Sequence, residues 1–335
     1  MLALALALAA LGTSARALPS ADELLDSALA APAAAYRGRV LVVQWYGRAP
    51  DGSLRTRASE LAVAVKPPDR VRRELLAPDG SVERVLVSDG SRERATLCRT
   101  GRTVVAQVPG AGETDAAPEA RREILRRNYE LIVGTAAPVA GREVWRLSFV
   151  PKSAGKARLA LWIDKDSKTI LRVKRWLPGR PFARDSQFLV FEPGAELDDS
   201  LFRVDAATAE IAAAHPPSPL TMAELRAKGA AMPEGLPGGF AFESGAALKV
   251  RGSVVLQARY TDGLSTLSLF QTDRPVHLPK NASVPAGRNP LPGPLSASAA
   301  GKIMQWRSGR RHFVMMSDVS RALMGKIAAA VAAAR

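Results

Sequence analysis

Short segments in which apolar residues alternate with polar ones recur through the first two-thirds of this chain. The alternation is clearest where Trp145, Leu147 and Phe149 fall on one side of an extended chain and Arg146 and Ser148 on the other. Turn residues, including two Pro-Asp-Gly triplets, separate the segments. The pattern therefore predicts one antiparallel sheet of many strands and few helices, with strands at 39–45, 60–65, 71–76, 83–87, 103–108, 143–149, 158–164, 169–176 and 185–192.

Two helices are predicted among these strands. Ser20 followed three residues later by Glu23 is a capping box, which predicts a short helix that begins there. Residues 118–132 change to helical spacing, with Leu125 and Tyr129 on one stripe, so a second helix is predicted over that segment.

A smaller second domain is predicted beyond an Ala- and Pro-rich stretch. The expected organisation is a signal peptide at 1–17, a first domain at 18–205, a linker at 206–235 and a second domain at 236–335. The fold class that follows is α+β, mainly antiparallel β.

The second domain has its own turn and cap patterns. Thr261-Asp-Gly263 predicts a hairpin between strands at 253–260 and 264–270. Residues 274–301 read as a long mobile loop, and strands at 302–307 and 311–316 follow. Ser317 or Asp318 is expected to cap a last helix, whose apolar stripe includes Val319, Leu323, Ile327 and Val331.

The first residues indicate export. A uniform Leu/Ala run reaches Leu11, and the small residues Ala15 and Ala17 follow it, so we expect a signal peptide cleaved after Ala17 and a periplasmic product. A buried helix is the alternative, but this run has no polar side. The positively charged start of such a peptide is missing, which suggests a start codon further upstream. No later segment has the ~20 apolar residues of a membrane span, so contact with the membrane is expected to be peripheral at most.

The charge points to anionic partners. Lys and Arg total 47 against 32 Asp and Glu, a formal net charge of +15. From Leu236 onward there are 13 basic and 4 acidic residues. Phosphate groups, acidic lipids or acidic protein segments would suit this surface, and an Arg-rich proteome is the alternative explanation. Nucleic acid is not expected, because aromatic residues interleaved with basic ones, as a stacking platform needs, are sparse in the sequence, and expected export argues further against it.

Residue patterns for catalysis are missing. The three histidines, His215, His277 and His312, have no metal-ligand spacing, and Cys98 is the only cysteine. Asp198-Asp199 reads as a helix cap rather than a catalytic pair. We therefore expect no enzyme activity, no cofactor and no metal. An envelope hydrolase would need His312 to lie against a carboxylate and a nucleophile.

The order and spacing of several segments point to a family of proteins; the segments are 36–40, 128–129, 139–142, 161–164, 171–174, 236–240, 260–265, 267–270 and 313–331. Together they resemble the RseB/MucB family, periplasmic regulators of the sigma-E envelope stress response whose first domain is similar to LolA and LolB. The resemblance covers nearly all of the chain beyond the signal peptide. The chain departs from the family at Met315-Met316-Ser317-Asp318, where members have a Gly-Glu-like step.

The resemblance implies an unclosed half-barrel whose apolar face, covered by a helical lid, holds acyl chains. It also implies a smaller α+β domain that docks on the periplasmic segment of an anti-sigma factor until a lipid signal releases it. The chain is then a negative regulator of an envelope-stress sigma factor. The alternative is a lipoprotein or lipid carrier of the LolA/LolB type.

Two sets of candidate residues follow from the implied function. The candidates for lining an apolar cavity, each of which could equally be ordinary core, are Trp45, Trp145, Leu147, Phe149, Leu161, Ile163, Leu171, Val173 and Leu189. The candidates for binding the anti-sigma partner, with a solvated hairpin tip as the alternative, are Arg259, Arg307, Arg310, Arg311 and Arg321.

Overall fold

The described residues form two sheets that follow one another along the chain. The structure is a computed structural model. It describes residues 18–107, 118–180, 183–204, 210–211, 219–250, 252–275 and 301–334. The expected signal peptide at 1–17 lies outside these residues.

The first sheet has twelve strands within the described ranges, in the spatial order β12-β6-β5-β4-β3-β2-β1-β11-β10-β9-β8-β7. Chain neighbours pair within β1–β6 and within β7–β11, and the β1–β11 pair joins the two halves. The strands are β1 (Tyr36–Arg48), β2 (Leu54–Lys66), β3 (Arg70–Leu76), β4 (Val82–Ser88), β5 (Arg92–Leu97), β6 (Arg102–Gln107), β7 (Tyr129–Thr135), β8 (Val144–Pro151), β9 (Arg158–Asp164), β10 (Ile170–Trp176), β11 (Arg184–Pro193) and β12 (Glu210–Ile211).

The sheet is curled and open. Its pairs are antiparallel except for β12, which runs parallel to β6. Strands β12 and β7 are the two ends, and in the described part of the chain they do not pair with each other. The predicted α+β class, mainly antiparallel β with an unclosed half-barrel, is confirmed.

The predicted Pro-Asp-Gly turns lie where consecutive strands reverse. Gly52 and Gly80 have φ of +82° and +83°, a conformation that L side chains rarely adopt. The carboxylates of Asp51 and Asp79 each accept a hydrogen bond from the backbone N–H of the serine two residues on, at 2.9 Å. These local contacts explain why the β1–β2 and β3–β4 reversals could be predicted.

Two helices, α1 (Ala21–Leu29) and α2 (Pro118–Asn128), form with the first sheet what we call the first unit, and α1 packs on β7 and β8. The predicted capping box at the start of α1 is confirmed. The backbone N–H of Glu23 donates to the Ser20 hydroxyl at 3.1 Å, and the Ser20 N–H donates to the Glu23 carboxylate at 2.7 Å.

The prediction of a helix over 118–132 is wrong in its last turn. Helix α2 ends at Asn128, and Tyr129 begins β7, which pairs with β8 over seven residues. The run that contains Ile132 and Val133 is β-branched and favours a strand. Tyr129 and Leu125 are both buried as predicted, whereas Ile132 is 46% exposed on the strand.

The second sheet has the order β13-β14-β15-β16-β18-β17 within the described residues. Two helices, α3 (Met222–Ala227) and α4 (Arg321–Ala333), pack against it and form with it what we call the second unit. The strands are β13 (Gly235–Leu236), β14 (Phe240–Val250), β15 (Ser253–Thr261), β16 (Thr266–Thr272), β17 (Lys302–Ser308) and β18 (Arg311–Ser317).

The cap of α4 differs from the prediction. Neither Ser317 nor Asp318 caps the helix; the hydroxyl of Ser320 accepts the N–H of Leu323 at 3.2 Å. The helix begins later than predicted because Val319 is fully buried ahead of it and the Asp318 side chain is turned towards the first unit. The predicted cap at Asp198 is confirmed, since its carboxylate accepts the Ser200 N–H at 2.7 Å before a 3-10 helix, Asp199–Phe202.

Parts of the expected linker at 206–235 have defined places in the two units. Strand β12 lies on the edge of the first sheet, and Met222 and Leu225 of α3 belong to the hydrophobic core of the second. The expected mobile loop at 274–301 lies mostly outside the described residues. Among the described helices, none is long and apolar enough to cross a membrane.

Candidate functional site

Most of the residues expected to line a cavity form one hydrophobic cluster on the helix-covered side of the first sheet. Each of them is at most 8% exposed. Helix α1 contributes Leu24 and Leu25 to this cluster, and α2 contributes Leu125. The helices therefore fill the sheet face with side chains, and the expected lining residues packed there are Trp145, Leu147, Phe149, Leu161, Ile163 and Val173.

The other three expected lining residues lie apart from this cluster. Leu171 is buried in a neighbouring cluster that includes Phe188. The ring of Trp45 is covered by the guanidinium group of Arg180, 4.9 Å from the ring centroid. Leu189 is 45% exposed.

Leu189 borders an open pocket of about 280 Å³. Seven of its nine lining residues have apolar side chains, but polar atoms, among them one guanidinium group and one amide, make up about half of its exposed surface. The lining residues are Ala137, Pro138, Val139, Ala140, Trp162, Arg172, Gln187, Phe188 and Leu189.

A buried polar cluster joins the two units, and its centre is Asp262 in the predicted Thr261-Asp-Gly263 turn. Asp262 is fully buried, and one carboxylate oxygen accepts the Tyr129 hydroxyl at 2.7 Å and lies 3.4 Å from the Lys156 Nζ. The other oxygen accepts the backbone N–H groups of Leu264 and Ser265 at 3.0 and 2.7 Å. A carboxylate with four such partners fixes the turn against the first unit.

The amide of Asn128 and the turn glycine complete this contact. The Asn128 Nδ2 donates to the backbone oxygens of Gly239 and Asp262, at 2.9 and 3.1 Å. Gly263 has a φ of +97°, and a Cβ there would lie 2.7 Å from the Leu125 Cδ2. Only glycine therefore allows the turn to lie this close to α2.

A second buried pair lies beside the first. Arg175, 3% exposed, pairs with Asp318 and donates to the Leu264 carbonyl oxygen at 3.0 Å and to the Ser265 hydroxyl at 3.1 Å. The backbone N–H of Ser320, at the start of α4, donates to the Gly155 carbonyl oxygen of the first unit at 2.8 Å. We call the region of Asn128, Tyr129, Gly155, Lys156, Arg175, Asp262, Leu264, Asp318 and Ser320 the unit interface.

Burial shifts the pKa values of two groups at the unit interface. Burial, and then the negative charge of Asp262, raises the pKa of Tyr129, so this hydroxyl stays protonated and donates to the carboxylate. Burial lowers the pKa of Lys156, and the charge of Asp262 opposes that change. These groups are enclosed and mutually paired, an arrangement suited to holding two units together.

The expected partner-binding arginines are divided between two places. Arg307, Arg310 and Arg311 lie exposed at the tip of the β17–β18 hairpin, where Arg307 donates to the Gly309 carbonyl oxygen at 2.7 Å. Arg321 is exposed at the start of α4, which follows the opposite end of β18. Arg259 lies on β15 and pairs with Glu243 at 3.2 Å. The structure therefore brings together only the three hairpin residues.

The described part of the chain contains no group of three or more His, Cys, Asp and Glu residues that could hold a metal ion. His215 and His277 lie outside the described residues. His312 lies on β18, next in register to Thr272 and Arg307.

Sequence reasoning missed the unit interface as a site. Lys156, Arg175 and Asp318 are ordinary charged residues in the sequence, and each suggests a solvated surface. One sequence observation does point to it, because Asn128-Tyr129 and 260–265 both carry the family resemblance and meet at this interface.

The fold is a curled, helix-covered half-barrel joined through a buried polar interface to a smaller α+β unit. Solved structures with a similar overall fold include the following two. A crystal structure of MucB in complex with MucA(peri) is 19% identical, with a TM-score of 0.56, covering 92% of this chain and 97% of that chain. The complex structure of Pseudomonas aeruginosa MucA/MucB is 19% identical, with a TM-score of 0.57, covering 92% and 96%.

The chain therefore has the fold of MucB across both units, and the expected RseB/MucB resemblance is confirmed at the level of the fold. No protein-family model matches the sequence, and no curated protein matches it significantly.

Proposed function

We propose that this chain is an exported periplasmic regulator that binds the periplasmic segment of an anti-sigma factor and thereby restrains an envelope-stress sigma factor. The observation that carries the proposal is the whole-chain likeness to MucB solved together with MucA. The likeness spans both units, and the unit interface holds the second unit firmly to the first. A carrier would need only the half-barrel, so the attached second unit favours a regulator.

Export is part of the proposal. The Leu/Ala run and the small residues up to Ala17 support cleavage there and a periplasmic location.

Lipid sensing is also part of the proposal. The nine residues expected to line a cavity are apolar, and most of them pack in one cluster with side chains of α1 and α2. An acyl chain would enter by displacing these helices from the sheet, and each methylene buried there would contribute ~0.8 kcal/mol. This mode of entry would couple lipid binding to a change in the shape of the first unit, as a sensor requires.

The five arginines expected at the partner surface remain candidates within this proposal. Arg307, Arg310 and Arg311 form one basic tip, and Arg259 and Arg321 would contribute separately. An acidic anti-sigma segment would suit these charges.

The test is affinity capture from the host periplasm after cross-linking, with mass spectrometry of what is captured. We expect a membrane protein with an acidic periplasmic segment, and native mass spectrometry of the same preparation should show bound lipid. A different result would favour a lipid carrier over a regulator. In that result no such membrane protein is captured, and the protein instead holds acylated cargo that it passes to an acceptor. Protein that stays empty under all conditions would refute lipid sensing.

A further inference from the structure

A row of cations and indole rings crosses the first sheet on the side away from α1 and α2. Trp162 on β9 is the register partner of both Arg146 on β8 and Arg172 on β10. Arg158 and Trp176 form the next such pair. We call this surface the Arg–Trp face, and its residues are Arg146, Arg158, Trp162, Arg172, Lys174 and Trp176.

The rings hold the cations in place. The guanidinium groups of Arg146 and Arg172 lie 6.0 and 4.7 Å from the Trp162 centroid. Arg158 and Lys174 each lie 5.5 Å from the centroid of Trp176. Cations restrained over aromatic rings lose less entropy on binding an anion than free side chains do.

The positive charge of this face is only partly balanced. Arg172 and Lys174 share Asp185, at 2.7 and 3.2 Å. Arg146 donates to the Ser148 hydroxyl at 3.0 Å, and within the described ranges neither it nor Arg158 forms an ion pair with a carboxylate. Glu130 lies two strands from Arg158, roughly 10 Å across the sheet. The two exposed arginines therefore remain available to an anionic partner.

The open pocket of about 280 Å³ adjoins this face, because Trp162 and Arg172 belong to both. Its volume lies just below the roughly 300–1,000 Å³ of small-molecule pockets, and it is open to solvent. Its size suits one side chain, such as an apolar one packed on Leu189 and Phe188, better than a whole acyl chain. A row of basic side chains across several strands, beside a pocket of this size, fits an extended polypeptide.

We propose that the Arg–Trp face and its pocket bind an extended acidic protein segment that carries one apolar anchor residue. The acidic side chains lie over Arg146 and Arg158, and the apolar residue occupies the pocket beside Leu189. The proposal rests on the proposed function for the identity of the partner. It adds a contact on the first unit to the candidate contact at the β17–β18 hairpin.

The experiment measures binding by fluorescence anisotropy with two probes. One is the periplasmic segment of the captured membrane protein, and the other is a short labelled peptide of Glu, Ser and Gly with a central Leu. The test variants are Arg146→Gln with Arg158→Gln, and Leu189→Asp. The matched control is Arg84→Gln with Arg99→Gln, which removes two exposed arginines from the other half of the sheet.

We expect the Arg146→Gln, Arg158→Gln variant to bind both probes with a Kd about tenfold higher than that of the unaltered protein. Added salt should weaken the binding of both probes to the unaltered protein. Leu189→Asp should raise the Kd similarly, and the control should stay within about twofold. Replacing Glu by Gln in the peptide should abolish binding.

The outcomes separate this proposal from the proposed function. Capture of the membrane protein with no effect of the test variants refutes the Arg–Trp face and leaves the regulator intact. A second outcome is that no membrane protein is captured but the peptide binds and the test variants weaken that binding. This outcome supports binding at the Arg–Trp face and refutes the proposed regulator function. Binding of phosphatidylglycerol vesicles that the variants abolish, without peptide binding, refutes the polypeptide occupant in favour of a lipid surface.

Discussion

The carboxylate of Asp262 shows how strongly one residue can depend on its partners. It is fully buried, and so is the Lys156 side chain that lies 3.4 Å away. Removing one member of such a pair leaves the other as an uncompensated buried charge. The cost of a substitution here is therefore set by the charge left behind.

We predict that Asp262→Ala lowers the free energy of unfolding by about 3–5 kcal/mol, because Lys156 loses its counter-ion and Tyr129 its acceptor. Urea unfolding at neutral pH measures the change. The double variant Asp262→Ala, Lys156→Met should recover part of the loss. A single-variant loss under about 1 kcal/mol would contradict this account of the unit interface.

Asp164 gives the first unit a dependence on pH. Burial alone would raise the pKa of Asp164, but hydrogen bonds from Arg142 and Ser167 outweigh it and lower the pKa. A lowered carboxyl pKa stabilises the fold above the unfolded value of about 3.9, and that stability is lost as the pH falls through the folded value.

We therefore predict that Asp164→Asn is less stable than the unaltered protein at pH 7 and that the difference shrinks towards pH 3. Urea unfolding over this range measures it. Asp166→Asn is the control, since Asp166 is exposed and lies 3.2 Å from the same arginine. A difference that stayed constant with pH would show that the Asp164 charge is not responsible.

The turn between β15 and β16 needs glycine for two reasons, its backbone conformation and its contact with α2. Gly52 and Gly263 both have positive φ, +82° and +97°. An added Cβ at Gly52 meets open space, whereas at Gly263 it meets Leu125. The same substitution at these two turns therefore separates backbone strain from packing.

We predict that Gly52→Ala costs about 1–2 kcal/mol and that Gly263→Ala costs about 1–3 kcal/mol more. Thermal and urea unfolding of the two variants check the difference. Equal costs would mean that α2 moves aside without penalty.

Elements defined by local chemistry could be predicted from the sequence. The Asp-Gly turns, the capping box at Ser20 and the strand pattern around Leu147 each depend on residues close together in the chain. The boundary at Asn128 could not be predicted, because Leu125 and Tyr129 keep helical spacing while the pairing of β7 with a later strand decides the outcome.

The candidate sites were less predictable than the elements. Whether Leu147 lines a cavity or lies in packed core depends on where α1 and α2 rest, which the sequence does not specify. The ion pair of Arg175 with Asp318 joins residues far apart in the chain, and neither residue differs in type from a solvated one. The contacts of Trp162 and Trp176 with cations could not be predicted either, because they depend on the register of β9 and β10.

At the scale of the whole molecule, the unit interface joins the two sheets through buried contacts. Leu264 of the second unit belongs to the hydrophobic cluster of the first, and buried polar contacts surround it. Opening the interface would expose Leu125 and Tyr129 as well as breaking both ion pairs. The two units should therefore lose structure together.

We predict that hydrogen exchange in increasing urea gives the same midpoint for peptides from both units. In a variant with Asp262→Ala and Arg175→Met, the midpoints should separate. The variant Arg146→Gln with Arg158→Gln, altered on the far side of the sheet, should keep them together. Separate midpoints in the unaltered protein would refute a cooperative interface.

The central position of β1 also determines how long this molecule takes to fold. Its partner β11 places Tyr36 opposite Pro193, so the two halves of the sheet meet only after a very long loop has closed. The hairpins on either side can form early from neighbouring segments. The β1–β11 seam gives the topology a high contact order, which corresponds to folding in milliseconds to seconds rather than microseconds.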